Sequence, residues 1–278
     1  MIPTTNFYGT EVTRLILGDN PFTGNSYIAH IHDRNEMLDF YSSSAVVDAL
    51  FEAEKNGINT FMALADPFIL RMIREYKNAG GKMHIMFQTY PPVELEGQIW
   101  QMMDCDPIAI YHQVGTLDLL CEEGKIDELH KRLEIIKSAG VITGMGTHEP
   151  ETLLRAEEED WGMDFYMVCL YNARRTQRGK KSGFITGKAK HFVFFPEDPP
   201  FMFEAMRKVK KPCIAFKLFA GGQIYLDKTP EEMPDITEAV FKDTFKNIKE
   251  NDMTCIGVFQ KYKNQIKESC DVVKKVLR

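Results

Sequence analysis

The sequence predicts an α/β protein, a (β/α)8 barrel of the TIM type, on three observations. Short, continuously apolar runs recur along the chain, and each is followed by a segment with helical periodicity. The runs do not alternate apolar with polar residues, as expected of strands buried on both faces and joined in parallel by crossover helices. Roughly eight such units fill the 278 residues, which fits a closed barrel better than an open doubly wound sheet. No GxGxxG follows the first run, which also argues against the open sheet.

The units come in order. Arg14–Gly18 is the first strand, ended by Asp19-Asn20-Pro21. Ala45, Val46, Ala49, Leu50 and Ala53 share one helical face, with Ser43 or Ser44 as cap and Gly57 as stop. Thr60–Ala65 is strand two; Pro67 suits the first turn of a helix that Gly80-Gly81 ends. Met83–Phe87 is strand three and Val93–Met103 its helix; Ile108–Tyr111 is strand four and Lys125–Ser138 its helix. Ile142–Met145 is strand five, Pro150–Glu159 its helix, and Phe165–Leu170 strand six. Cys213–Phe219 is strand seven with a helix around Ile236–Ile248, and Cys255–Phe259 is strand eight with a helix over Lys263–Leu277. Residues 1–278 read as one barrel domain without linker or repeat. The long irregular stretch 172–200 is an insert or lid loop, since structureless loops of that length usually carry function.

A net charge of −6 lacks the basic footprint of a nucleic-acid binder, and no apolar run is long enough to span a membrane. Met1–Val12 has no apolar stretch of a signal peptide, and the six cysteines are scattered. These features point to a cytoplasmic protein with reduced thiols, and to a small molecule as partner. The basic stretch Arg174–Lys181 suits an anionic one, or a lid that closes over it, and a solvated loop reads the same way. The oligomeric state is not written in the sequence.

In such barrels the site lies at the carboxyl ends of the strands. Here those ends carry Asp19 and Asn20, Asp66, Gln88, His112, His148, Asn172 and Lys217. Lys217 sits in an apolar run, where burial lowers the pKa of an amine and makes it a base, a Schiff-base nucleophile or a phosphate ligand. His112 and His148 are acid–base candidates; Asp19 and Asp66 are orienting or base carboxylates, or else turn and helix caps. Asn20, Gln88, Asn172, Arg174 and Phe216 are candidate substrate contacts. Gly221 and Gly222 after strand seven, with Lys261 and Lys263 after strand eight, form a candidate phosphate site. His30 and His32 are the weaker candidates for a metal, and more often such loop histidines are plain surface.

Several segments resemble the aldo-keto reductase superfamily over nearly the whole chain. Asn6–Leu15 is similar to the family's N-terminal hairpin, and Gly57-Ile58-Asn59-Thr60-Phe61 to its entry into strand two. Ile108-Ala109-Ile110-Tyr111-His112 resembles the strand that ends in the family's catalytic His. Gly144–His148 resembles its strand five, Tyr171-Asn172 its strand six, and Gly257–Glu268 the segment that holds the cofactor's adenosine phosphate. The resemblance implies NAD(P) and a Tyr that donates a proton while the nicotinamide delivers hydride, tuned by Asp and Lys. Of these positions only His112 matches. The Asp position falls on Met62, the Tyr near Pro67 and the Lys near Gln88. His148 and Val168 stand where Asn and Gln are expected to hold the nicotinamide amide; Phe216 matches the aromatic that stacks on its ring.

The sequence therefore favours a non-redox enzyme on a reductase-like barrel, of lyase or isomerase type, acting on a small polar carbonyl or sugar-like substrate. An NAD(P)-dependent oxidoreductase with a rebuilt proton relay, through His112 or Tyr90, is the alternative. A barrel that binds without turnover is the third reading, and the ionisable strand ends argue against it.

Overall fold

The computed structural model describes residues 1–181 and 192–278. Eight parallel strands close into a barrel: β3 (Leu15–Gly18), β4 (Thr60–Leu64), β5 (His84–Gln88), β6 (Ala109–His112), β7 (Ile142–Thr147), β8 (Phe165–Cys169), β9 (Cys213–Phe216) and β10 (Met253–Ile256). Each strand pairs with the next, and β10 returns to β3 with Cys255 opposite Ile16. An antiparallel hairpin, β1 (Thr4–Phe7) and β2 (Thr10–Thr13), precedes the barrel, as the resemblance implies. Its Phe7 and Val12 close the amino end, Phe7 packing edge-on against Phe165.

The helices are α1 (Arg34–Phe40), α2 (Ser43–Asn56), α3 (Pro67–Asn78), α4 (Leu95–Met103), α5 (Val114–Glu122), α6 (Ile126–Lys137), α7 (Pro150–Glu158), α8 (Pro199–Lys208), α9 (Met233–Asn247) and α10 (Gln265–Val276). Their starts have local causes. The Ser42 side chain accepts from the Ala45 amide at the start of α2, and Asp66 accepts from Phe68 where Pro67 opens α3. Two buried layers result. One lies between strands and helices and includes Leu17, Phe61, Ile110 and Val168; the other fills the barrel with Ile16, Met62, Met86, Tyr111, Met167 and Ile214. Neighbours along a strand therefore face opposite layers.

Expectations change at strand seven and after strand four. Strand seven stops at Phe216, because Lys217 takes a left-handed φ of 61° that no strand continues through. Helix α5 follows β6 directly and precedes the helix expected over 125–138, which is α6. Helix α8 begins at Pro199, at the end of the irregular stretch; residues 182–191 of that stretch, with Gly183 and His191, lie outside the described residues. None of the cysteines is bonded to another, and five of the six are buried. Among the described residues no helix is long and apolar enough to cross a membrane.

Candidate active site

A cavity of about 350 Å³ opens at the carboxyl end of the barrel. Met62, Gln88, Tyr111, Met167, Phe216 and Cys255 line it from the strands. An arm runs between the loops after β9 and β10 to Met233 and Thr237 of α9 and Glu268 and Ser269 of α10. Of the candidates drawn from sequence, Asp19, Asn20, Gln88, Phe216, Lys217, Gly221, Gly222, Lys263 and His32 line this cavity. Asp66, His112, His148, Asn172, Arg174, Lys261 and His30 do not.

The two aspartates part company. Asp66 is a helix cap, Oδ1 accepting from the Phe68 amide at 2.9 Å. Asp19 precedes a single 3-10 turn but does not cap it. Its Oδ2 instead accepts from the Leu64 amide on β4 at 2.9 Å, which fixes the carboxyl at the cavity wall. Burial pushes this carboxyl up to about 7, against the backbone donors, and the charge of Asp66 adds to the rise. Asp19 is therefore poised to exchange a proton near neutral pH. Beside it the Tyr111 hydroxyl donates to Gln88 Oε1 at 2.8 Å, and burial holds that phenol well above its ordinary value. Burial also pushes up the Cys255 thiol, which rules it out as a ready nucleophile.

His112 requires a correction. Tyr111 takes the inward position on β6, so the next residue turns to the helix layer. There Arg132 Nε donates to His112 Nε2 at 3.0 Å, and His112 Nδ1–H donates to the Gln113 carbonyl at 3.1 Å. Arg132 needs the Nε2 lone pair, so the ring is neutral. Burial, reinforced by the Arg132 charge, pushes it down to about 3. It is a structural histidine. His148 is oriented by Asp118, with Nδ1 2.7 Å from Oδ2; Thr147 donates to the other carboxylate oxygen at 2.6 Å. Burial pushes Asp118 up to about 7. The His148 ring stands 6.0 Å from that of Phe216, and Phe216 rather than His148 faces the cavity.

The arginines of the basic stretch are also paired internally. Arg174 is buried in a two-point pair with Glu122, with Nε–Oε1 and Nη2–Oε2 both 2.7 Å. Arg175 pairs with Asp198, and Arg178 with Glu149 at 3.1 Å. Asn172 accepts from the Arg174 amide and donates its own amide to Asp198. These contacts fasten the flank 172–181 to the barrel rather than hold cations ready for a ligand.

Lys217 does face the cavity, but not as a depressed amine. Its left-handed backbone swings the side chain in, and Nζ lies 4.5 Å from the ring centroid of Tyr27. Phe192, Phe194 and Phe216 lie at 5.2, 5.5 and 5.4 Å. Burial pulls the amine down, yet the Tyr27 hydroxyl and the Cys169 thiol outweigh it and hold it above its ordinary value. Ring faces favour the cation in the same sense. A Schiff-base amine requires the opposite. Tyr27, Phe192 and Phe194 are not legible in sequence, being far from any strand end.

The residues after β9 and β10 do not fit a dinucleotide's phosphates. A Cβ on Gly221 would lie 2.6 Å from Tyr27, and one on Gly222 3.0 Å from Ile28. These glycines let the loop after β3 pack closely. Lys261 pairs with Glu36 at 2.9 Å and Lys263 with Glu268 at 2.8 Å. The first amides of α10 are taken as well: Ile266 N donates to Gln260 Oε1 and Lys267 N to Asn264 Oδ1. The donors that make a helix start an anion site are thus satisfied from within. Nor do the histidines gather: His30 is exposed, and His32 sits against Glu36 and stacks on Tyr262. Among the described residues no three His, Cys, Asp or Glu side chains are placed to hold a metal.

No family model and no curated protein matches this chain. In shape it is similar to an aldo-keto reductase from Bacillus halodurans in its holo form, with TM-score 0.58 and 9% identity, covering 99% of this chain and 96% of that one. It is also similar to a dihydropteroate synthase from Yersinia pestis in complex with a sulfonamide drug, with TM-score 0.57, 9% identity and 99% and 97% coverage. A truncated 3-deoxy-D-arabino-heptulosonate 7-phosphate synthase from Thermotoga maritima gives TM-score 0.54, 12% identity and 99% and 91% coverage. At these identities the likeness establishes the (β/α)8 barrel, and it spans reductases and synthases alike.

Proposed function

We propose that this protein is a non-redox barrel enzyme of lyase or isomerase type. It moves a proton next to the carbonyl of a small polar or sugar-like substrate. The observation that carries this reading is Asp19: a carboxyl held near 7 at the cavity wall, anchored across to β4 by the Leu64 amide and joined to no cation among the described residues. In its ionised form it takes the proton from the substrate carbon and, now protonated, returns a proton to the neighbouring atom. With Oε1 committed to Tyr111, the Gln88 amide keeps its Nε2 donor for the substrate's carbonyl oxygen. Asn20 and Phe216 border the same space. Lys217 acts as a fixed cation rather than as a Schiff-base amine.

The test is deuterium wash-in. Hydroxyketones, aldoses and 2-oxo acids are incubated with the protein in D2O and followed by proton NMR. The wild type exchanges a carbon-bound proton of at least one class, and Asp19→Asn slows that exchange by about 10²-fold or more. Equal exchange by D19N would remove Asp19 from the chemistry.

The arm of the cavity between the loops after β9 and β10 favours a second reading, the NAD(P)-dependent oxidoreductase, since it offers room for an extended ligand. The paired lysines and the capped start of α10 count against it. Calorimetric titration with NADPH and NADH separates the two: saturable micromolar binding moves the protein to the oxidoreductase class.

A further inference from the structure

The backbone at Lys217 adopts a conformation that costs an L-residue about 1–2 kcal/mol and costs glycine almost nothing. A long charged side chain stands there all the same. Three separate segments hold its ammonium: Tyr27 from the loop after β3, Phe192 and Phe194 from the run before α8, and Phe216 from β9. Gln223 ties these segments together. Its Nε2 donates to the carbonyls of Phe192 and Tyr27 at 2.7 and 3.2 Å, and its Oε1 accepts from the Phe194 amide at 3.4 Å.

Among the described residues no carboxylate pairs with Lys217, and residues 182–191 contain no Asp or Glu at all. Asp118, whose charge reaches it, spends its own oxygens on Thr147 and His148. A half-buried cation without a counter-charge costs folding free energy that ring faces offset only in part. A ligand oxyanion in the cavity supplies the missing charge.

We propose that the caged ammonium of Lys217 is the anchor for an anionic group of the substrate, a carboxylate or a phosphate monoester. The inference rests on the reading of this cavity as an active site, and it narrows the substrate to a small carbonyl compound with an oxyanion at one end. The anchor stands after β9 and the Asp19 carboxyl after β3, with β10 between them. The substrate therefore spans that width, oxyanion on Lys217 and reacting carbon at Asp19.

The experiment is calorimetry with inorganic phosphate and with pyruvate, using acetone as an uncharged control of similar size. The wild type binds at least one of the two anions and not acetone; which of them binds tells phosphate from carboxylate. Lys217→Met weakens that binding roughly tenfold or more, while its melting temperature without ligand is unchanged or higher, because an unpaired charge has been removed. Binding of neither anion by the wild type, or equal binding by K217M, overturns the proposal. So does a K217M chain that melts lower yet binds as before, which would make the cage mere packing.

Should K217M not fold, wild-type chain labelled with 13C at lysine Cε gives the answer. The Lys217 signal is shifted upfield by the surrounding rings and identified by its loss in Lys217→Arg. It moves on adding the bound anion; a signal that stays still while anion binds overturns the proposal. Asp19→Asn keeps the two readings apart. If D19N binds the anion as tightly as the wild type but still exchanges substrate protons, the anchor stands and the role of Asp19 falls.

Discussion

Replacing Asp19 by Asn removes a charge and keeps the bond that positions it, since the amide oxygen still accepts from the Leu64 amide. The expected effect follows from proton linkage. The carboxyl ionises at 3.8 when exposed and at about 7 in the folded chain. Folding therefore favours its protonated form. Below pH 4 both states are protonated and nothing is lost; between about pH 4 and 7 the unfolded chain ionises first and stability falls; above 7 the loss is complete. At ~1.4 kcal/mol per pKa unit the full difference approaches about 4 kcal/mol, an upper bound because the residue keeps 8% of its exposure. The substituted amide does not titrate, so D19N gains on the wild type as pH rises. Asp118, also pushed up to about 7, contributes the same slope to both chains and cancels in the comparison. Urea denaturation of both proteins at pH 4.5, 6 and 8 measures the gap. A difference that stays flat with pH, or that shrinks toward pH 8, would refute a neutral Asp19 and with it the case for proton transfer at neutral pH.

Other substitutions separate scaffold from site. His112→Ala leaves Arg132 without its acceptor in the helix layer and should cost about 1–3 kcal/mol in thermal or urea denaturation, with deuterium exchange retained. Gly221→Ala adds a Cβ 2.6 Å from Tyr27 at a φ of 61°, so it should destabilise the fold by about 1–3 kcal/mol and displace Tyr27 from Lys217, seen as loss of the upfield lysine signal. Gln223→Ala removes three hydrogen bonds that join separate segments, at about 0.5–1.5 kcal/mol each, and should speed amide exchange at Phe194 more than in the barrel strands.

The barrel is legible because its signal is repeated. Each apolar run is short and bounded, and errors of one or two residues at the ends do not change the count. The face of each strand is not legible, for the reason that makes the strands easy to find. A strand apolar on both sides gives no alternation to say which neighbour points inward, so Tyr111 and His112 cannot be told apart, and the more familiar chemistry of histidine favours the wrong residue. Phe216 and Lys217 pose the same problem with the opposite outcome. On a continuous strand Lys217 would turn to the helix layer, and only the left-handed turn, invisible in an apolar run without glycine, brings it to the cavity. The aspartates show a third limit. Asp before or near Pro signals a cap, which is right for Asp66 and wrong for Asp19, because the Leu64 amide that claims Asp19 lies on a strand 45 residues away. The arginines of 174–178 and the lysines of 261–263 read as a basic surface because their acidic partners, Glu122, Glu149, Asp198, Glu36 and Glu268, are mostly distant in sequence.

That neutralisation gives the cavity its chemical character. Around it, Lys263 is paired with Glu268 and His32 with Glu36, and the arginines behind β7 and β8 are paired in turn. Two ionisable groups on its wall, Asp19 and Lys217, have no partner of opposite charge among the described residues. They stand two strands apart, and their surroundings drive them to opposite ends of usefulness. Burial holds the acid near 7, whereas at the amine the Tyr27 hydroxyl and the Cys169 thiol outweigh burial and keep it above its ordinary value. Met62 stands where the resemblance expects the Asp that tunes the proton-donating Tyr, and the first amides of α10, which would meet a phosphate, are bonded to Gln260 and Asn264 of the fold itself. A site with one proton-exchanging acid and one fixed cation is suited to a substrate held by its charge and altered at a neighbouring carbon, which is the chemistry of isomerases and lyases.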